Sequence, residues 1–203
     1  MAIWLLNGSQ VVQSAGLGAV ASNWVIVAAG DFNGDGKYGI LWRDTQSGTV
    51  AIWLLNGVQV QQSAGLGAVP SNWYISDVGD FNGDGKWDIL WRDGSTGPVA
   101  IWFLNGTQVS SSAGVGTVSN TWIIWLTGDY NGDHKSDLLW MDTSGNVALW
   151  FMNGSHHLPR LSATWGPRGR FSGTAPSDGP LSGCQPDWHA PLRGWRQSGG
   201  LRR

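Results

Sequence analysis

Oxygen-bearing side chains recur along this chain at a fixed step, and their types narrow the chemistry available to it. Three loops read DFNGDGKYG at 31–39, DFNGDGKWD at 80–88 and DYNGDHKSD at 129–137. Side-chain oxygens occupy loop positions 1, 3 and 5 in every copy: Asp31, Asn33 and Asp35; Asp80, Asn82 and Asp84; Asp129, Asn131 and Asp133. Position 9 adds Asp88 and Asp137 in the second and third loops, where the first has Gly39. Position 7, Lys37, Lys86 and Lys135, has a backbone carbonyl to offer. Calcium is a hard cation that takes about six to eight oxygens, so a tight loop of alternating oxygen donors suits it. Glycine at positions 4 and 6 permits the sharp turns such a loop needs.

Rival readings of the loop fail on particular residues. An EF-hand requires Glu at position 12, which here is Trp42, Trp91 and Trp140. A Walker-type phosphate loop needs four residues between Gly and Gly-Lys and then Ser or Thr; five separate Gly30 from Gly36, and Tyr38 follows Lys37. A plain polar hairpin would also use Asp, Asn and Gly. Three copies with identical oxygen positions favour the metal. The first loop, short of one carboxylate, is expected to bind more weakly. His134 stands where Gly36 and Gly85 stand, at a conformational cost, and is not expected to be a ligand.

The loops sit inside a longer repeat. AIWLLNG at 2–8 returns at 51–57, then as AIWFLNG at 100–106 and ALWFMNG at 148–154, in steps of 49, 49 and 48 residues. A period of this length points to propellers or solenoids. Within one period four short β-type runs follow one another: strand A at 72–78, B at 87–92 after the acidic loop, C at 99–104, and D at 108–112 after Asn105-Gly106. Asn-Gly between apolar runs marks a tight hairpin. Strands B and C are apolar on both faces, as in a sheet covered on both sides. Four antiparallel strands per repeat, stacked face to face, make a β-propeller blade. The fold class is therefore all-β, an incomplete propeller of about three blades.

Tryptophan marks three places in each blade: Trp24, Trp73 and Trp122 on strand A; Trp42, Trp91 and Trp140 on B; Trp4, Trp53, Trp102 and Trp150 on C. Large aromatics of this kind belong between blades, where burial is worth about 25 cal/mol per Å². Trp87 and Trp125 fall outside the pattern and are expected to be exposed.

The stretch GDFNGDGKWDILWR at 79–92 closely resembles the FG-GAP-like (VCBS-type) repeat family, and the resemblance covers residues 1 to about 153. It implies propeller blades with calcium in the loop joining the first two strands. It also implies that Asp80, Asn82, Asp84 and Asp88, with the Lys86 carbonyl, are ligands, and likewise Asp129, Asn131, Asp133, Lys135 and Asp137. An extracellular or cell-surface location follows from the resemblance alone.

The parts are expected at 1–21 (strands C and D of a half blade), 22–69, 71–118 and 120–153 (a partial blade), with a tail at 154–203. That is too few blades to close a ring, so a larger parent or self-association is expected. Residues 1–153 carry net −7 and residues 154–203 net +5, and the tail holds six of the eight prolines. It reads as disordered by composition, or as an out-of-frame fourth blade. Its arginines are dispersed rather than blocked, so no nucleic-acid partner is expected. There is no glutamate, the one cysteine is Cys184, and His156, His157 and His189 lie in the tail, so no catalytic constellation forms and no enzyme is expected. No membrane-spanning run is present. NGS and NGT at 7–9, 105–107 and 153–155 match the N-glycosylation pattern but serve first as hairpin turns. The functional reading is a non-catalytic calcium-binding module for adhesion or protein–protein interaction. The alternatives are a lectin propeller with a glycan ligand, or an accessory part of a secreted hydrolase.

Overall fold

The computed structural model describes residues 1–157 and the backbone of 161–165 and 171–174. All of its regular structure is β. Strands β1 (Ala2–Asn7) and β2 (Gln10–Gly16) form a hairpin. Strands β3 (Trp24–Gly30), β4 (Gly39–Asp44), β5 (Thr49–Asn56) and β6 (Gln59–Ala68) form a four-stranded antiparallel sheet in chain order. Strands β7 (Trp73–Gly79), β8 (Asp88–Asp93), β9 (Pro98–Asn105) and β10 (Gln108–Thr117) repeat it. Strands β11 (Trp122–Gly128), β12 (Asp137–Asp142) and β13 (Val147–Trp150) begin a third sheet. The short pair β14 (Met152–Asn153) and β15 (His156–His157) follows.

Two findings modify the expected elements. Strand D runs on to Thr117 rather than stopping at 112, because a bulge between Gly114 and Gly116 lets it turn and continue. Asn105 lies inside the ladder opposite Gln108, and the turn proper is Gly106-Thr107 with Gly106 at φ 64°. Positive φ at the first central residue alone matches a II′ hairpin, not the Asn-Gly I′ form.

Order also extends past residue 154, where the composition predicted none. Strand β16 (Leu161–Trp165) pairs with β13, and β17 (Phe171–Thr174) pairs with β16. Strand β13 otherwise presents an open edge, and the sequence LSATW alternates apolar and polar residues, a period that composition alone conceals. The remaining residues of the predicted tail lie outside the described residues.

The core lies between successive sheets. One cluster joins Phe32, Leu41, Val50, Ile52 and Leu54 of the first full sheet to Val78, Ile89, Trp91 and Leu104 of the second. The other joins Phe81, Leu90, Val99, Ile101 and Phe103 to Leu138, Trp140, Ala148, Trp150 and Met152. In each blade the strand B tryptophan meets the strand C tryptophan in a tilted pair, with centroids 5.0 Å apart for Trp42–Trp53, 5.0 Å for Trp91–Trp102 and 4.9 Å for Trp140–Trp150. Offset tilted rings suit the aromatic quadrupole. The strand A tryptophans, Trp24, Trp73 and Trp122, are half-buried, and Trp4 on β1 is exposed.

Trp87 departs from expectation. It packs between blades, half-buried against the first core cluster and over the backbone of Gly30, where a Cβ would clash with the indole. Gly30 leaves the space that makes an out-of-pattern tryptophan an interior residue. Trp125 is exposed as predicted, because it is the extra residue of the bulge between Ile124 and Leu126.

Arginine supplies a second link between blades. Arg92, buried at the end of β8, donates to the carbonyls of Val118 (2.9 Å), Ser119 (3.0 Å) and Trp122 (3.1 Å), and its guanidinium lies 5.1 Å from the Trp140 ring centre. Arg43 does the same one period earlier, to Val69 (3.3 Å), Pro70 (3.2 Å) and Trp73 (2.6 Å), 5.4 Å from Trp91. Burial lowers the pKa of both guanidiniums, but the planar fork stays charged and serves several carbonyls at once. Arg92→Met is expected to lower unfolding free energy by about 2 kcal/mol in a urea melt, since the carbonyls lose their donor. Arg43→Met is expected to cost less, because Arg43 is only half-buried.

Candidate metal centre

Each acidic loop joins the first strand of a sheet to the second, so its ends are held by the ladder. Its first aspartate organises the turn. Asp80 accepts backbone N–H groups of Gly83 (2.6 Å), Asp84 (3.2 Å) and Gly85 (2.8 Å). Asp31 accepts those of Gly34, Asp35 and Gly36, and Asp129 those of Gly132, Asp133 and His134. At Asp129 burial pushes the pKa up, but these donors outweigh it and hold the carboxylate low. Glycine at positions 4 and 6 is left-handed in the first two loops (Gly34 at 75°, Gly36 at 79°, Gly83 at 79°, Gly85 at 81°). His134 takes φ 66° at position 6 of the third, the one non-glycine positive φ among the described residues. That conformation carries a steric cost that glycine does not pay.

The position 5 carboxylates face outward. Asp35, Asp84 and Asp133 each accept the N–H of the lysine two residues on, at 2.9, 2.9 and 3.0 Å. The same lysines bring their ammonium groups to 3.8, 3.6 and 3.4 Å of these carboxylates. The N–H of Lys37, followed by the side-chain amide of Asn33, lowers the Asp35 pKa. Asn82 and Asn131 turn their side-chain oxygens onto the N–H groups of Asp84 (2.9 Å) and Asp133 (2.8 Å).

The ninth residues behave differently. Asp88 is fully buried and accepts Phe81 N–H at 3.2 Å and Leu104 N–H at 3.0 Å. Burial raises its pKa to about 7, the two N–H donors pull it back, and the like charges of Asp84 and Asp80 raise it further. Asp137 repeats this with Tyr130 N–H and Met152 N–H, and burial again raises its pKa. Gly39 brings no carboxylate, and the backbone has closed over it: a Cβ there would sit 2.7 Å from the Trp53 carbonyl. The first loop therefore differs in shape as well as charge.

The loops form a row along one rim. Trp87 N–H donates to the Asp31 carbonyl at 2.8 Å, and Ser136 N–H to that of Asp80 at 2.6 Å. Gly106 N–H meets the Phe32 carbonyl and Gly154 N–H that of Phe81, tying the first and second loops to the C–D turn of the next sheet. The donor set is all oxygen, which fits a hard cation. As the side chains stand, no three carboxylate, imidazole or thiolate groups surround a common point among the described residues. In the second and third copies the buried ninth carboxylate feels the carboxylates of positions 5 and 1 as like charges that raise its pKa further.

Arg43 and Arg92 are functional residues that loop spacing does not reveal. The signal was WRD at 42–44 and 91–93, with WMD at 140–142. The aspartates of the same triplets cap the next turn. Asp93 accepts Ser95 and Thr96 N–H and hydroxyl groups, which lower its pKa to about 2, the Ser95 hydroxyl contributing most.

Four-stranded antiparallel sheets stacked on tryptophan, each with an acidic A–B loop, define a repeat protein of the propeller-blade class. A family model described as FG-GAP-like repeat matches twice, at residues 31–91 and 80–140, which together span more than half of the sequence. The chain belongs to that family. Comparison with curated proteins and with solved structures returns no match.

Proposed function

We propose that the chain is a non-catalytic interaction module whose second and third loops bind calcium as structural metal. The observation that carries this is Asp88: a buried carboxylate beside Asp80 and Asp84, with two N–H donors but no cation-bearing side chain among its hydrogen-bond partners. A divalent ion would neutralise the three like charges. Asp80, Asn82, Asp84, the Lys86 carbonyl and Asp88 would hold it in the second loop; Asp129, Asn131, Asp133, the Lys135 carbonyl and Asp137 in the third. Asp31, Asn33, Asp35 and the Lys37 carbonyl make a weaker set in the first. Bound metal supplies positive charge that locks the hairpin; it takes no part in a reaction.

The ammonium of Lys86, 3.6 Å from Asp84, competes for the same charge. Weak binding, with a Kd of about 0.1–1 mM as in extracellular modules, is therefore expected. The family's typical occurrence in extracellular proteins supports a secreted or cell-surface setting, where calcium is millimolar. No helix among the described residues is long and apolar enough to cross a membrane. Exposed apolar side chains on β3 (Val25, Ile26) and β11 (Ile123, Trp125, Leu126) suit an adhesive or self-associating surface.

A thermal melt in 10 mM calcium against chelator tests the reading. Saturation ten- to hundredfold above Kd is expected to stabilise the fold by about 1.5–3 kcal/mol, and Asp84→Asn with Asp133→Asn to abolish most of the shift. Identical melting curves in calcium and chelator would remove the metal from the proposal. Mass measurement in both buffers reports self-association.

A further inference from the structure

A pocket of about 200 Å³ opens beside the first full sheet, lined among others by Val20, Ala21, Trp24, Trp42, Ala51 and Trp53. Its composition is that of the two arginine sites one and two periods later. Arg43 binds the carbonyls of Val69, Pro70 and Trp73 beside Trp91, and Arg92 those of Val118, Ser119 and Trp122 beside Trp140. Subtracting the 49-residue step from Val69, Pro70, Trp73 and Trp91 gives Val20, Ala21, Trp24 and Trp42. The remaining wall corresponds as well: Ala51 and Trp53 match Ala100 and Trp102. The pocket is a third copy of a site that the molecule fills twice with guanidinium. The two arginines among the described residues, Arg43 and Arg92, fill the later copies, and this copy is lined in the same way.

We propose that this pocket is a guanidinium-binding site, and that its ligand is an arginyl side chain. In the two filled copies three carbonyl oxygens converge beside an indole face, which suits a planar cation that donates from several edges and stacks on a ring. An ammonium offers neither the plane nor the fork. A second copy of this chain docked through its third sheet would bring Met141, the residue in the Arg92 position there, and so would leave the pocket without its cation. The proposal does not rest on the calcium reading, since no loop ligand lines the pocket.

The test is a titration of the full chain with Nα-acetyl-arginine amide, followed by the indole 1H–15N signals. The Trp42 signal is expected to move saturably at millimolar ligand. Nα-acetyl-lysine amide and the neutral isostere Nα-acetyl-citrulline amide are expected to bind at least about tenfold more weakly. Trp91 and Trp140, whose sites hold Arg43 and Arg92, are expected not to respond. Ala51→Leu, which fills the pocket, is expected to abolish the response with the other indole signals unchanged. Arg43→Ala provides a second route that does not depend on that variant folding. It empties the next site, and Trp91 should then respond to the arginine probe and regain thermal stability with it. Equal responses to arginine, lysine and citrulline, or a Trp42 signal unmoved while Trp91 responds in Arg43→Ala, would overturn the assignment.

Discussion

Trp91→Ala is expected to cost about 4 kcal/mol, enough to leave much of the chain unfolded in mild denaturant. The side chain is 1% exposed and joins the facing surfaces of two sheets. Phe32, Leu41, Ile52 and Leu54 contribute from one side, Val78, Ile89 and Leu104 from the other, with Trp102 tilted against the ring at 5.0 Å and Arg43 over it at 5.4 Å. Truncation removes the transfer term of the indole and leaves a cavity. Collapse into that cavity is resisted because the two sheets are pinned at the rim by Trp87 N–H to the Asp31 carbonyl and Gly106 N–H to the Phe32 carbonyl. The guanidinium of Arg43 also loses its π face. The contrast is Trp125→Ala, which removes an equal side chain that is 54% exposed on a bulge and should change stability by less than about 0.5 kcal/mol. Urea melts of both variants decide the matter: equal costs would mean that packing between sheets does not carry the stability.

Repetition made most of this legible from sequence. A tryptophan at one phase of every period is hard to explain except by a surface every blade must cover, so Trp42, Trp91 and Trp140 were predictable as core. The loop phase was legible for the same reason, and so was the difference at Gly39. What could not be read was where the ninth carboxylate points. Asp88 reaches Leu104 N–H, sixteen residues away on β9, a contact set by strand register and not by loop spacing. Trp87 was misjudged because its partner is an absence: Gly30 of another blade, where a missing side chain makes room. The arginines escaped for a further reason. Their partners are main-chain carbonyls, which every residue has and which leave no mark in sequence. The strands at 161–165 and 171–174 were lost to composition, since proline and arginine counts dominate a segment whose short alternating runs are sufficient to pair with an open edge.

The largest pH effect is expected from Asp88 in chelator. Its pKa is about 7 in the folded chain against an ordinary value of 3.8. Between those values the folded state holds a proton that the unfolded state has released, so the unfolded chain binds fewer protons and stability falls as pH rises. The contribution is fully present below about pH 4, declines toward pH 7 and is gone above it. Three pH units at about 1.4 kcal/mol each set its scale at about 4 kcal/mol. Asp137, raised by the same burial, adds in the same direction. Asp93, held at about 2, acts oppositely but only below pH 4, so the window from 4 to 7 isolates the buried pair. Asp88→Asn should flatten most of the slope. Its absolute stability is a separate matter, because asparagine turns an amide donor toward one of the two N–H groups that Asp88 accepts. Calcium should flatten the slope in the unmodified chain as well, by supplying the charge that makes the buried carboxylate acceptable. Unfolding free energies that stay level from pH 4 to 7 in chelator, with Asp88→Asn indistinguishable, would mean that Asp88 is already compensated without metal, and the reason for placing a cation there would be gone.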